Sequence, residues 1–167
     1  TATFMPGRSD MLKVIDSVGK KQGKRGQNNW PVDLLVKGDV YVANQFGAKL
    51  NGPTIGDNVG NAIYAKSGNG IVYDGAIRDL EGLREIGGFT SYYTSYDPSY
   101  HNPGNYINTM IIGINTPTLS RKVTVMPGEV LLGKLGVVVF MPPHLAEKVV
   151  KISEIVRLRD MFGHLRL

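Results

Sequence analysis

The sequence contains no cysteine among its 167 residues. Disulfide bonds and thiolate metal sites are therefore excluded, and cysteine usage gives no information on the redox compartment. No apolar run approaches the roughly 18 residues that a membrane helix needs, so we predict no membrane association. No signal peptide is visible. The cytoplasm is therefore the expected location. Because the chain starts at a threonine inside a predicted strand, a removed leader stays an open alternative.

Several motifs of catalytic sites are also missing. His101, His144 and His164 are far apart and form no His-x-x-x-His pair, which argues against a histidine metal site. No Gly-x-Ser-x-Gly motif occurs, so nothing indicates a serine hydrolase of that type. The glycine-rich segment 67–70 lacks the lysine of a phosphate-binding loop, and we interpret it as a turn between a helix and a strand.

The remaining composition is that of one ordinary globular domain, with 42% hydrophobic and 20% charged residues. The formal net charge is +5, and basic residues gather at 20–25 and 157–166. Such clusters form either a surface for RNA or an acidic partner, or solvated helix ends and loops. No aromatic residue interleaves the first cluster, so base stacking is not indicated and nucleic-acid binding is not expected.

The hydrophobic pattern switches between strand-like and helix-like periods, which indicates an α/β protein with a mixed central β core and flanking helices. Ser9 is predicted to cap the first helix, and Gln27–Asn29 is predicted to be a loop. The segment 40–72 allows a parallel crossover, while the turns within 123–141 predict an antiparallel meander. The other predicted elements are strands at 1–5, 40–43, 71–73, 89–94 and 107–115, helices that begin near 9, 59, 80 and 143, and a surface loop at 95–106.

One stretch, Gly52–Asp79, carries the polar residues that suggest chemistry. It has the pattern of a loop, a helix, a buried strand and a second loop, with a glycine turn at 56–58. Because the chain goes out along the helix and returns along the strand, we predict that this turn and Arg78–Asp79 lie at the same end. Glycine amides beside an acid and an arginine suit a site for an anion and a cation.

The acidic residues in and beside this stretch suit a hard divalent cation, since Mg²⁺ and Mn²⁺ prefer oxygen ligands and keep several waters. Arg78 can hold a carboxylate through two parallel hydrogen bonds. The structural alternative is that Arg78 and Asp79 cap the following helix and pair with each other. The acidic candidates are Asp57, Asp74, Asp79 and Glu81.

The spacing of these residues resembles the RraA-like family, which includes regulators of ribonuclease activity and class II, metal-dependent 4-hydroxy-4-methyl-2-oxoglutarate aldolases. The aldolase signature of that family is an aspartate, twenty intervening residues and then Arg-Asp, and Asp57 with Arg78–Asp79 matches it. The resemblance extends over most of the chain, because the segments 38–43, 126–130 and 136–142 resemble strands of the family.

This resemblance implies a β/β/α swivelling-type domain that spans 1–167 and lacks the N-terminal helices of full-length members. It also implies a homo-oligomer, either a trimer or a hexamer, with the active site in a cleft between subunits. The implied partners are therefore a small oxo-acid substrate and further copies of this chain.

The resemblance also implies roles for individual residues. Asp79 would ligate a divalent metal, Mg²⁺ or Mn²⁺, and Arg78 would bind the oxo-acid oxygens and stabilise a pyruvate enolate. Asp57 would orient a water for proton transfer. The pyruvate carboxylate would be held by the backbone amides of Gly56, Asp57, Asn58 and Val59.

The implied function is a lyase that cleaves or decarboxylates a small oxo acid, such as 4-hydroxy-4-methyl-2-oxoglutarate or an oxaloacetate-like acid. The alternative is a non-catalytic, protein-binding regulator of ribonuclease activity. Three features depart from the family pattern. Leu135 precedes Gly136 where many members have an acidic residue. The C-terminal helix that carries Glu154, the candidate for a glutamate given to a neighbouring subunit, is unusually basic. The segment 95–105 is long and aromatic enough to reshape the substrate pocket.

Overall fold

A computed structural model describes residues 1–24, 26–46, 52–99, 109–120 and 123–166 of the chain. The chain divides into two compact units, Thr1–Pro127 and Gly128–Leu167. Each unit is therefore described by itself, and the prediction of one domain over 1–167 stays a prediction.

The first unit begins with alternating strands and helices and ends with four strands. Its elements are β1 (Ala2–Pro6), α1 (Ser9–Lys21), a 3-10 helix (Gln27–Asn29), α2 (Trp30–Asp33), β2 (Tyr41–Asn44), α3 (Asp57–Ser67), β3 (Ile71–Ile77), α4 (Leu80–Glu85), β4 (Ser91–Tyr96), β5 (Thr109–Ile114), β6 (Thr118–Ser120) and β7 (Val123–Val125). The second unit contains β8 (Val130–Lys134), β9 (Val137–Met141) and α5 (Pro143–His164).

The central sheet of the first unit has five strands in the order β4-β3-β2-β1-β5. The strands β1 to β4 pair in parallel, whereas β5 pairs antiparallel with β1. The elements β2, α3 and β3 form the expected parallel crossover, with Val42 opposite Val72. The predicted α/β class, a mixed central β core with flanking helices, is confirmed.

The two interior strands β2 and β3 are buried along nearly their whole length. Such continuous burial is typical of parallel strands whose two faces are both covered. Helices α3 and α4 supply Ile63 and Leu83 to the same core. Gly60 allows these two helices to approach, because a Cβ atom at that position would contact Leu83 Cδ2. The crossover is thus fixed to the sheet, and the chain segments that follow the strand ends are held with it.

Two predictions near the N-terminus are wrong. Ser9 is the first residue of α1 rather than its cap, and Arg8 takes the N-cap position with an extended backbone. Gln27–Asn29 is a 3-10 helix rather than a loop. The buried Gln27 side chain donates a hydrogen bond to Asp16 in α1 and accepts one from a backbone amide of β5. Long-range contacts therefore stabilise a segment whose local sequence has only the signals of a loop.

Two strands end later than predicted. The strand β3 ends at Ile77 rather than at Tyr73, and β4 runs to Tyr96, into the predicted surface loop 95–106. The ends of these two strands pair with each other. This pairing keeps the backbone extended at residues whose local sequence pattern does not predict a strand. Positions 100–106 of the predicted loop lie outside the described residues.

The meander predicted within 123–141 is confirmed for the antiparallel pairing of its last two strands and wrong for the pairing of its first strand. The strand β7 pairs antiparallel with β6, which the sequence pattern missed, and β8 pairs antiparallel with β9. Because β6 has only three residues, Thr118–Ser120, it is too short to show an alternating pattern, and its pairing defines it as a strand. Two separate two-stranded sheets replace the meander.

The second unit is a hairpin followed by a long helix. Leu135 and Gly136 join β8 to β9 with φ angles of 48° and 82°, and two positive φ angles are the combination found in a type I′ turn. The helix α5 has 22 residues, and none of them is buried. Among the helices in the described part of the chain, none is both long and apolar enough to cross a membrane.

Candidate functional site

The end of β3 and the start of α3 lie beside each other in the first unit. Ile55 forms a parallel bridge with Ile77, and the Ile55 carbonyl accepts a hydrogen bond of 3.0 Å from the Arg78 amide. Gly56 is thereby held next to Arg78 and Asp79. The prediction that the segment 56–58 and Arg78–Asp79 lie at the same end of the helix–strand stretch 52–79 is confirmed.

Gly56 is required at this point by space and not by backbone conformation. Its φ of −133° and ψ of −171° are extended and open to any residue. A Cβ atom on Gly56 would contact Asp79 Oδ2 and would lie 3.0 Å from Arg78 Nε. The backbone that leads into α3 therefore lies directly against the two side chains that follow β3.

Arg78 and Asp79 form an ion pair, with 3.1 Å between Arg78 Nε and Asp79 Oδ2. The Arg78 side chain is 19% exposed and the Asp79 side chain is 44% exposed, so the carboxylate remains open to solvent. The structural alternative holds only in part, because the two residues pair locally but the Asp79 side chain makes no capping hydrogen bond to α4.

Asp79 has an unusual backbone conformation. Its φ of 55° and ψ of 46° lie in the left-handed region, which residues other than glycine rarely adopt, although aspartate and asparagine tolerate it best. Such conformations cost about 1–3 kcal/mol, and they cluster at sites where the strain has a function. The turn at Asp79 ends the path of β3 and brings the carboxylate against Gly56.

The segment 56–58 is not the predicted turn, since α3 already begins at Asp57. Asp57, Asn58 and Val59 are in the first helical turn, where backbone N–H groups have no acceptor within the helix. The Asn58 amide donates a hydrogen bond of 2.6 Å to Asp57 Oδ1. The amides and the dipole of this helix favour an anion at its N-terminus. Binding of a substrate carboxylate by these residues stays a prediction.

Asp57 lies at the same end, with its side chain towards α4. A Cβ atom on Gly82 would lie 2.7 Å from Asp57 Cβ and 2.9 Å from Asp57 Oδ2, so glycine at this position makes room for the aspartate. Asp57 is half-buried, which leaves its carboxylate partly accessible. Its predicted role in orienting a water is compatible with this position and stays a prediction.

Asp79 is the predicted metal ligand, and the other acidic candidates are placed differently. Asp74 is half-buried within β3, and Glu81 is exposed in the first turn of α4. Across the described ranges, no group of three or more His, Cys, Asp or Glu side chains could hold a metal ion. A single carboxylate suits Mg²⁺ or Mn²⁺, because such ions are often bound by one or two carboxylates while waters and substrate oxygens complete the coordination.

Comparison with protein families identifies the relatives of this chain. A model of the RraA-like family, described as Aldolase/RraA, matches residues 17–139. The chain belongs to the RraA-like family. That family includes aldolase and decarboxylase members as well as ribonuclease-inhibitor members.

Solved structures share the fold of this RraA-like chain. Streptomyces coelicolor RraAS2, described as an unusual member of the RNase ES inhibitor RraA protein family, is 24% identical with a TM-score of 0.77, over 99% of this chain and 75% of that one. The RNA-processing inhibitor RraA from Thermus thermophilis is 21% identical with a TM-score of 0.56, over 84% and 73%. A structure described among novel cellulases from microbes of the gut ecosystem is 17% identical with a TM-score of 0.72, over 96% and 64%. These identities show the fold alone, and no curated protein matches significantly.

Two departures from the RraA-like pattern lie in the second unit. Leu135, which precedes Gly136 and is expected from the resemblance to depart from the family, is 92% exposed in the turn between β8 and β9. Glu154, the candidate for a residue given to a neighbouring subunit, is exposed on α5. Its contribution to a second site stays a prediction.

The basic segment 20–25 lies at the end of α1. Lys20 and Lys21 are in its last turn, and the Lys24 ammonium lies 5.4 Å from the centre of the Trp30 ring. This cation–π contact gives Lys24 an intramolecular role. Arg25 is outside the described residues.

Sequence patterns missed a buried polar group beside the site. Gln45, Thr54 and Tyr73 are 3%, 2% and 1% exposed, and the Tyr73 hydroxyl is hydrogen-bonded to both other side chains. Burial raises the pKa of the Tyr73 hydroxyl, and the hydrogen bond with Thr54 opposes this effect only in part. The hydroxyl is therefore a protonated donor at neutral pH. The sequence around Tyr73 indicates only an apolar strand, so the hydrophobic period did not predict the hydrogen bonds of the Tyr73 hydroxyl.

Proposed function

We propose that this chain is a divalent-metal-dependent lyase of the class II pyruvate aldolase type. Its substrate would be a small oxo acid, either 4-hydroxy-4-methyl-2-oxoglutarate or an oxaloacetate-like acid, which it would cleave or decarboxylate through a pyruvate enolate. The observation that carries the proposal is the contact of Gly56, at the α3 N-terminus, with the Arg78–Asp79 pair. An anion-binding helix end, a guanidinium and an accessible carboxylate thus meet at one place.

Asp79 would hold the divalent metal, Mg²⁺ or Mn²⁺. Its side chain is accessible and its chemistry fits these ions, whose remaining ligands would be waters and substrate oxygens. When bound, the ion would act as a Lewis acid that stabilises negative charge on the oxo-acid oxygen.

Arg78 and the first turn of α3 would bind the substrate. The Arg78 guanidinium is mostly buried, and in such surroundings its charge interacts more strongly with a carboxylate or an enolate oxygen than in water. The amides of Gly56–Val59 would hold the carboxylate that pyruvate retains, and the Asn58 amide would give up its hydrogen bond to Asp57 Oδ1 to do so. Asp57 would position the water through which a proton moves in the cleavage step.

We further propose that the active protein is a homo-oligomer, a trimer or a hexamer, in which neighbouring subunits complete the site. The support comes from the second unit, where large apolar side chains remain exposed on the hairpin and on α5. Surfaces of this kind commonly mark protein–protein contacts. Glu154 is the residue that a neighbour would contribute.

The proposal is tested by measuring pyruvate release from a panel of such oxo acids with Mg²⁺ or Mn²⁺. EDTA should stop the release, and Arg78→Ala should lower kcat by about 100-fold or more, the usual effect of losing a group that stabilises transition-state charge. Asp79→Asn should have a similar effect while keeping a residue type that tolerates the left-handed conformation.

The matched control is Glu85→Gln, which removes one negative charge from the exposed end of α4. It should leave the rate unchanged. Absence of pyruvate from every acid of the panel, with the assembled wild-type protein and either metal, would refute the proposed lyase.

A protein-binding regulator of ribonuclease activity is the second candidate. The favouring observation is that the two RraA structures similar to this chain are described as inhibitors of RNase ES or of RNA processing. This function predicts binding to a ribonuclease that survives Asp79→Ala, since the binding surface would not need the metal. Pyruvate release that is lost in Asp79→Asn would favour the lyase instead.

A further inference from the structure

A chain of buried hydrogen bonds links the two central strands to the segment before α3. The Tyr73 hydroxyl donates to Gln45 Oε1 over 2.7 Å, and Gln45 Nε2 donates to the Gly52 carbonyl over 3.1 Å. Tyr73 has one hydroxyl proton, which it gives to Gln45, so the short contact with Thr54 is donated by the Thr54 hydroxyl. Each of the three donor groups in this series of hydrogen bonds has an acceptor, and the side chains of Gln45, Thr54 and Tyr73 are all buried.

These bonds hold the segment 52–56 at two points. Gln45 binds its first residue through the Gly52 carbonyl, and Tyr73 binds Thr54. The next residue, Ile55, accepts the hydrogen bond from the Arg78 amide, and Gly56 then leads into α3. The segment is fully buried, so its position depends on these contacts.

The strand β3 also makes room for the chain of hydrogen bonds. A Cβ atom on Gly75 would lie 2.8 Å from Tyr73 Cε1 and 3.1 Å from Gln45 Oε1. Glycine at this position allows the two side chains to pack over the strand three residues before Arg78. The hydrogen bonds and the Arg78–Asp79 pair are therefore supported by the same short strand end.

We propose that Tyr73, acting with Gln45 and Thr54, is a positioning residue of the candidate site. Its hydroxyl fixes the segment 52–56, and thereby the first turn of α3, against Arg78 and Asp79. The consequence for an oxo acid rests on the proposed lyase function, whereas the position of the segment can be measured without it. Substrate-carboxylate binding should depend on Tyr73, and metal binding by Asp79 should not.

The neighbouring strand offers a matched control. Tyr41 is 1% exposed, as is Tyr73, and it lies on β2 two residue pairs away from Tyr73 along the ladder. The Tyr41 hydroxyl has no hydrogen-bond partner among the described residues. Tyr41→Phe therefore removes a buried hydroxyl without breaking a hydrogen bond, while Tyr73→Phe removes one that links three side chains.

The first measurement is hydrogen exchange of the Arg78 and Gly60 amides, which donate to the Ile55 and Gly56 carbonyls. In Tyr73→Phe both amides should exchange about tenfold faster than in Tyr41→Phe, the change expected from the loss of one buried hydrogen bond. Equal exchange in the two variants would overturn the proposal. This readout decides the positioning role even if the chain releases no pyruvate.

The second measurement separates positioning from general loosening. KM for the oxo acid should rise about tenfold in Tyr73→Phe, as expected for one misplaced contact group, while the Mn²⁺ dissociation constant stays within about twofold. A parallel loss of Mn²⁺ binding would mean that the whole site has loosened and would contradict the proposal.

A second pair of variants tests the proposal if Tyr73→Phe does not fold. Thr54→Val keeps the shape of the side chain and loses its hydroxyl, whereas Thr54→Ser keeps the hydroxyl. Fast exchange of the Arg78 amide in Thr54→Val, restored in Thr54→Ser, supports the proposal. Equal exchange in both contradicts it.

Discussion

The two compact units of this chain place their apolar side chains in opposite ways. In the first unit, strands and helices enclose a cluster of buried residues that includes Phe4, Tyr41, Ile63 and Ile77. In the second unit, no residue from 128 to 166 is buried, although the hairpin and α5 are rich in valine, leucine and isoleucine. The same residue types thus form a core in one unit and an exposed surface in the other.

This difference shows that contacts within the second unit do not account for its stability. An isolated two-stranded hairpin is at best marginally stable in water, and most helical stability in proteins comes from tertiary packing. Apolar positions follow one another around α5, among them Val149, Val150, Ile152 and Ile155, and a helix that is apolar on several sides is normally covered on them. The exposed surface supports the proposed oligomer, in which other copies would cover it.

The largest effect that tests this comparison is expected from the same substitution in a helix of each unit. Ile63 is 0% exposed in α3, and Ile152 is 51% exposed in α5. Ile63→Ala should lower the free energy of unfolding by about 2–5 kcal/mol, because it leaves a cavity in the core. Ile152→Ala should change it by about 0.5 kcal/mol or less, as for an exposed position. Urea unfolding of both variants at low protein concentration measures the difference.

The contrast between a buried first unit and an exposed second unit is contradicted if Ile152→Ala is as destabilising as Ile63→Ala. That result would show that α5 is buried even in the dilute protein. A loss with Ile152→Ala that grows as the protein concentration rises would instead locate the burial in an assembly.

The second prediction concerns alkaline pH. Burial raises the pKa of Tyr41 and of Tyr73, so the folded first unit keeps both hydroxyls protonated at a pH where the unfolded chain ionises them. The unfolded state then binds fewer protons, and stability that is complete below about pH 10 is lost as the pH rises further, by about 1.4 kcal/mol per pH unit for each tyrosine. The second unit contains no tyrosine, so this loss belongs to the first unit alone.

Urea unfolding at pH 9, 10 and 11 measures this loss. The double variant Tyr41→Phe/Tyr73→Phe serves as the control, because it lacks both buried hydroxyls. Its stability should fall less steeply above pH 10 than that of the wild type. Equal slopes would show that the two hydroxyls do not drive the alkaline loss.

The parts of the fold that the sequence predicts are those encoded by local pattern. The apolar runs of β2 and β3 and the helical period of α3 define the crossover, and this geometry places Gly56 beside Arg78. Pairing partners are not encoded locally, which is why β6 was missed and why the partner of β7 was predicted wrongly. The left-handed backbone of Asp79 and the hydrogen bonds of Tyr73 depend on tertiary contacts, so no pattern in the sequence indicates them.

The smallest predicted effect compares one residue from each unit in the left-handed region. Asp79 and Leu135 have φ angles of 55° and 48°. Aspartate tolerates this conformation, whereas leucine does so at a cost of about 1–2 kcal/mol. Leu135→Asn creates the Asn-Gly pair favoured in type I′ turns and should stabilise the hairpin by about 1 kcal/mol. Asp79→Asn, as the comparison, keeps a residue type that tolerates the conformation and loses the ion pair with Arg78, so it should lower stability by about 0–1 kcal/mol.

Urea unfolding of both variants measures these changes, and the sign for Leu135→Asn is the informative result. Stabilisation would show that the leucine is only a strained turn residue. Destabilisation would show that its side chain, 92% exposed in the single chain, is buried against another molecule. In that case the cost of the left-handed leucine is offset by the assembly, and the strained residues of both units would have functions, one in the site and one in the contact between subunits.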